Sequence, residues 1–259
     1  MKLQYAYIKR ILTSKVFYLS ILCVVFVMCS GINFRNLPYG VLAQLESTLD
    51  LGSYRKMILL FSSMPFVSFY AAESGANVDR QIISRSSLKS YLNSHICLCF
   101  LTAFFVSFLG MFLSALILSV KYPLYVEGSY VIYGLTEQHP IQQLSQSSDT
   151  FMAFFLLKGI IYSFSMGIWA LSGIAISAII NNTFVATVSP LVFSYVLEFF
   201  TIDSKIFPDL WHLSLCYTVV SENLWISIGY IVGVFLVVGL LFSIVFRIFV
   251  TRRVHNEIH

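Results

Sequence analysis

The sequence predicts an all-α membrane protein, with six transmembrane helices and an amphipathic interfacial helix ahead of the first. Three observations carry this. The chain of 259 residues is 58% hydrophobic and 11% charged, with a mean hydropathy of +0.83. A soluble domain carries roughly 25% charged residues, and one globular core cannot hide this much apolar surface, so lipid must solvate much of it. The apolar residues gather in six runs, each near the roughly 20 residues that cross a bilayer. The lysines and arginines fall unevenly between the flanks of those runs, which sets an orientation. The whole chain, 1–259, reads as one transmembrane domain.

Residues 1–15, MKLQYAYIKRILTSK, come first. On a wheel of about 100° per residue, Lys2, Ala6, Lys9, Arg10 and Thr13 share one arc, and Leu3, Tyr5, Tyr7, Ile8, Ile11 and Leu12 fill most of the rest. That pattern suits a helix lying in the cytosolic interface; a frayed basic tail that only fixes topology is the alternative. The first span, 16–34, is free of charge and has no small-residue cleavage site after it, so it is expected to be retained rather than removed as a signal peptide. The second, 57–72, is short and holds Pro65. The third, 96–120, is uncharged. The fourth, 151–180, contains Lys158; the fifth, 184–200, has Glu198 near its end; the sixth, 223–246, is closed by Arg247. The second and fifth sit near the lower length limit.

With the N-terminus inside, the inner flanks hold Lys2, Lys9, Arg10, Lys15, Arg80, Arg85, Lys89, Arg247, Arg252 and Arg253, ten in all. The outer flanks hold Arg35, Arg55, Lys56, Lys121 and Lys205, five in all. The bias places both termini in the cytosol, in a multi-pass plasma-membrane protein. Residues 73–95 then form a polar cytosolic loop and residues 121–150 a long, nearly uncharged outer loop.

The sequence holds little that resembles catalytic machinery. It has no HExxH pair, no GxSxG, no paired carboxylates within a span and no GxxxxGK[ST] phosphate loop. No basic run with interleaved aromatics suggests nucleic acid. An intramembrane hydrolase or an ion-coupled transporter should show titratable groups at membrane depth. The spans offer Lys158 and Glu198, both near the outer surface, where snorkelling explains them. His95, Cys97 and Cys99 are spaced by two, which points them to different faces of a helix and away from a common metal. The cysteines imply no disulfide framework.

Small residues recur at four-residue spacing in the fourth span (Gly159, Ser163, Gly167, with Ala175 further along) and in the sixth (Gly229, Gly233). In lipid such residues let helix backbones approach. Packing within one bundle and contact with a second subunit both explain them.

Taken together, the chain resembles the membrane subunits of type-2 ABC exporters, closest to the lantibiotic- and peptide-export permeases of Gram-positive bacteria. The likeness spans the full length. It lies in the six spans with both ends inside, the basic amphipathic start, and the second span ending in AAESG before VDRQIISRSSLKSYLNSH. The small-rich fourth span leading through AISAIINNTFVATVSPLVF completes it. Ile83 stands where an apolar leucine is more usual in the family.

The resemblance implies a permease that exports peptides or other amphipathic or hydrophobic compounds. It would pair with a second permease chain, the same or related, and engage a cytosolic ABC ATPase subunit. The chain would not itself be an enzyme and would bind no cofactor directly, because Mg-ATP would sit on the partner ATPase. The resemblance assigns ATPase coupling to Glu73, Val78, Asp79, Arg80, Ile82, Ile83 and Arg85, with Val78 and Ile82 as apolar anchors on one face of a short helix. Glu73 is expected to pair with a basic residue of the N-terminal helix. It also implies a partly re-entrant outer segment over 201–223, with Ile206, Pro208 and Trp211 as an outer gate. An interfacial loop with Trp211 in the aromatic belt is the alternative. The rival to export is a non-transporting immunity or scaffold protein in the same membrane.

Overall fold

The computed structural model describes residues 2–31, 40–50, 52–75, 82–83, 87–124, 126, 140–144, 148–180, 182–202, 204, 207–217 and 220–256. Among these the chain is all helix, with no strand. In order the helices are α1 Lys2–Leu12, α2 Lys15–Ser30, α3 Val41–Asp50, α4 Gly52–Gly75, α5 Leu88–Ser119, α6 Pro140–Gln143, α7 Ser148–Ile179, α8 Thr183–Thr201, α9 Leu210–Ser214 and α10 Leu224–Asn256. Five of them (α4, α5, α7, α8 and α10) are each long and apolar enough to cross a membrane, and α1 with α2 makes a sixth if that bent pair is one span. Alone, the 16 residues of α2 reach only about 24 Å, short of a hydrocarbon core of about 30 Å.

The break between α1 and α2 is local chemistry. Ser14 adopts extended backbone and its hydroxyl accepts from the Val16 amide, capping α2, while α1 swings away by 57°. The wheel's apolar arc divides between two surroundings. Tyr7 and Ile11 are buried against the bundle, whereas Tyr5, Ile8 and Leu12 are exposed, as suits a helix with protein on one flank and lipid on the other.

The helices run further than the apolar runs did. α5 starts at Leu88, capped by the Ser87 hydroxyl, and α4 extends to Gly75, so both ends of the stretch 73–95 are helical. α10 continues past Arg247 to Asn256; Arg247 donates to Asn93 and Arg253 to Ser74. The break between α7 and α8 is made by Asn182, whose side-chain oxygen accepts from the Phe184 and Val185 amides. α3 lies in the connection between the first two apolar runs, and it buries Val41, Leu45 and Leu49.

α7 is the hub, packed against α4, α5, α8 and α10. Its small residues serve that role. A Cβ on Gly167 would come within 2.7 Å of the Phe100 ring on α5, and one on Gly159 would meet Met111 at 3.4 Å; this stripe packs inside the bundle. Gly229 and Gly233 on α10 have nothing within 4 Å.

Candidate functional site: two buried polar clusters on one helix

Helix α4 carries a cluster at each end. Arg55 and Glu73 are separated by about 27 Å along the axis, at 1.5 Å per residue.

At the far end of α4, Glu73 is buried and accepts a hydrogen bond at 2.8 Å from the hydroxyl of Tyr7 on α1. The expected tie between Glu73 and the N-terminal helix is present, but a tyrosine makes it rather than a basic residue. The reason lies in the wheel. Tyr7 is on the buried arc, while Arg10 points aside, its guanidinium 4.4 Å over the Phe69 ring. Next to Glu73 sits His95 of α5, fully buried. Its Nδ1 lies 3.0 Å from the Tyr91 carbonyl, and a carbonyl only accepts, so Nδ1 carries the proton and Nε2 is left facing Glu73 Oε1 at 3.7 Å. The rings of Tyr7, Tyr70, Tyr91 and Phe66 surround the imidazole. Cys97 is exposed and Cys99 is buried with its thiol toward the Ala170 carbonyl, so the HxCxC residues diverge.

At the near end, Arg55 and Lys56 converge on Glu198 of α8. Arg55 Nη2 donates to Glu198 Oε1 at 2.9 Å; Lys56 Nζ donates to Oε2 at 2.5 Å and to Ser194 Oγ at 2.8 Å. Exposure is 1% for Arg55, 3% for Lys56 and 4% for Glu198. Trp211 of α9 lies over the Arg55 guanidinium at 4.2 Å, and Tyr195 over the Lys56 ammonium at 4.5 Å. Helix α9 is set by Asp209, whose carboxylate caps it through the Trp211 and His212 amides, and the Leu210 amide donates to Thr201 Oγ1 of α8. Tyr162 of α7 is buried within electrostatic reach of both Arg55 and Glu198. Lys158, one turn earlier on α7, is buried beneath Tyr217 and Phe154.

These positions correct three expectations. Glu198 and Lys158 do not snorkel to a surface; both are buried, and Glu198 neutralises cations of another helix. Arg55 and Lys56 are not loop residues on the wrong side of a span. They belong to α4, a 24-residue helix rather than a 16-residue one. Titratable groups are also not lacking inside the bundle, since Glu73, His95 and Glu198 are all there.

Of the residues proposed for coupling, Glu73 stands in the first cluster. Ile82 and Ile83 are helical, half-buried and packed against the chain's own core. Val78, Asp79, Arg80 and Arg85 lie outside the described residues, as does Ile206 of the proposed gate. Pro208 is half-buried just ahead of the Asp209 cap, and Trp211 rests on Arg55. The structure thus joins one foreseen residue, Trp211, to four that were missed: Arg55, Lys56, Ser194 and Glu198. A signal existed. The two shortest apolar runs each carried charge at one end, of opposite sign, and pairing them lengthens both.

Compared with known proteins, the chain is matched by no family model, curated protein or solved structure.

Proposed function

We propose that this chain is the membrane-spanning permease subunit of an ATP-driven exporter of peptides or other amphipathic compounds, working in the plasma membrane with both termini in the cytosol. It would pair with a second permease chain, and a separate cytosolic ATPase would bind and hydrolyse Mg-ATP. The observation that carries the proposal is the build of α4. One end follows into the stretch proposed to meet the ATPase and is tied by Glu73 to α1. The other end holds Arg55 and Lys56 beneath Trp211 of the proposed gate. Because α4 is one continuous helix, a push on its Glu73 end can reach its Trp211 end.

Tagged full-length chain purified from its native membrane should bring with it a stoichiometric ATPase. Val78→Ser with Ile82→Ser should release that ATPase while the chain still inserts. A folded chain that purifies alone, with no ATP-dependent export, favours the immunity or scaffold alternative.

A second transport reading rests on Glu73 and His95 buried side by side, 3.7 Å apart, since buried carboxylates and histidines in spans are the residues of proton relays. Proteoliposomes separate the two. The exporter needs ATP and the ATPase; the carrier moves substrate under a proton gradient with neither.

A further inference from the structure

We propose that the Arg55–Lys56–Glu198 cluster is a binding site for the phosphodiester headgroup of an anionic phospholipid. This does not depend on the transport reading.

Charge is the first argument. The cluster holds two cations and one carboxylate, an excess of one positive charge in groups no more than 5% exposed. An arginine in a protein does not shed its proton, so the guanidinium charge is permanent. Buried charge of this kind is kept where a partner of opposite sign is available. Among the described residues, neighbouring acid does not supply it: both Glu198 oxygens are engaged by Arg55 and Lys56, and Asp209 is taken up by the α9 amides and the His212 ring.

Hydrogen bonding is the second. Arg55 Nε and Nη1 and the Tyr162 hydroxyl are buried and make no hydrogen bond to a described residue. Three N–H protons and one hydroxyl proton, grouped around an uncompensated charge, are donors without acceptors. An oxyanion supplies acceptors and charge together, and guanidinium–phosphate bonds are among the stronger ones in proteins.

Access and surroundings choose the source. The cluster lies beneath two aromatic rings. Its roof is Trp211, half-buried, and Tyr195, 49% exposed. Beyond the roof the surface is apolar and aromatic, with Phe199, Phe200 and Phe207 each more than 60% exposed. A ligand reaching the cations by turning one ring aside arrives across hydrocarbon-compatible surface, so its anionic head should carry apolar chains. A phosphodiester of single negative charge, as in phosphatidylglycerol, matches the single positive excess.

The test uses the full chain in a neutral maltoside detergent. Thermal unfolding is followed with added dihexanoyl-phosphatidylglycerol, dihexanoyl-phosphatidylcholine, sodium phosphate or sodium acetate. Phosphatidylglycerol should raise the unfolding temperature saturably, and the other three should not. Arg55→Met should abolish the shift. Tyr162→Phe, which deletes one hydroxyl and leaves the packing, should weaken the affinity by about tenfold without changing the lipid-free unfolding temperature. An equal shift from phosphate or acetate would show a site for free oxyanions and overturn the lipid assignment. Absence of a phosphatidylglycerol shift in the unaltered chain, or an undiminished one in Tyr162→Phe, would overturn the site.

Discussion

The two ends of α4 bury charge in different ways. At the Glu73 end one carboxylate faces one imidazole inside a ring of aromatic side chains, and the Tyr7 hydroxyl donates to the carboxylate. At the Arg55 end two cations share one carboxylate, and the guanidinium keeps its proton. The first cluster ties α1, α4 and α5 together and leaves one Glu73 oxygen and His95 Nε2 buried without a hydrogen bond to a described residue. The second leaves donors instead, Arg55 Nε and Nη1 and the Tyr162 hydroxyl, which make no hydrogen bond to a described residue and suit the proposed anion.

Removing the shared carboxylate should give the largest effect. Glu198→Ala strands two buried cations and should cost about 3–5 kcal/mol in thermal or denaturant unfolding. Tyr7→Phe comes next. It leaves a Glu73 oxygen without its donor and should cost about 1.5–3 kcal/mol, together with loss of protection of α1 against limited proteolysis. If Tyr7→Phe destabilises as much as Glu198→Ala, the two ends do not differ as described. Arg55→Met should fall within about 1 kcal/mol of the unaltered chain, because Lys56 and Glu198 remain as a neutral pair; a large loss would mean that the excess charge is itself structural. Single cysteines introduced by Ser86→Cys and Ser129→Cys in a cysteine-free background should leave stability unchanged and assign the two ends. Position 129 should label from outside intact cells and position 86 should not; the reverse would invert the orientation.

Much of the helical plan was legible because hydropathy is a local property. The uncharged runs of α5 and α10 fall within the helices found to one residue at an end, Asn182 lies between one helix and the next as its sequence suggests, and the apolar arc of residues 1–15 marks the face that Tyr7 and Ile11 bury. The start of α4 was not legible. A local average treats Arg55 and Lys56 as the end of a membrane segment, and only a partner 142 or 143 residues away makes their burial possible. The same limit hid His95. Its spacing to Cys97 and Cys99 could be weighed, but its meeting with Glu73 and Tyr7 depends on how three helices pack. Trp211 was singled out for its place in a proline-broken segment, and the cations beneath it come from another part of the chain.

The coupling of Arg55 to Glu198 across α4 and α8 is measured most directly by a double-mutant cycle, using Glu198→Gln, Arg55→Met and the pair together in the same detergent. Glu198→Gln alone should destabilise strongly, and adding Arg55→Met should recover about 2 kcal/mol, because one of two stranded cations is gone. Effects that add to within about 0.5 kcal/mol would mean that the two side chains do not share a buried site, and the account of this end of the bundle would be wrong.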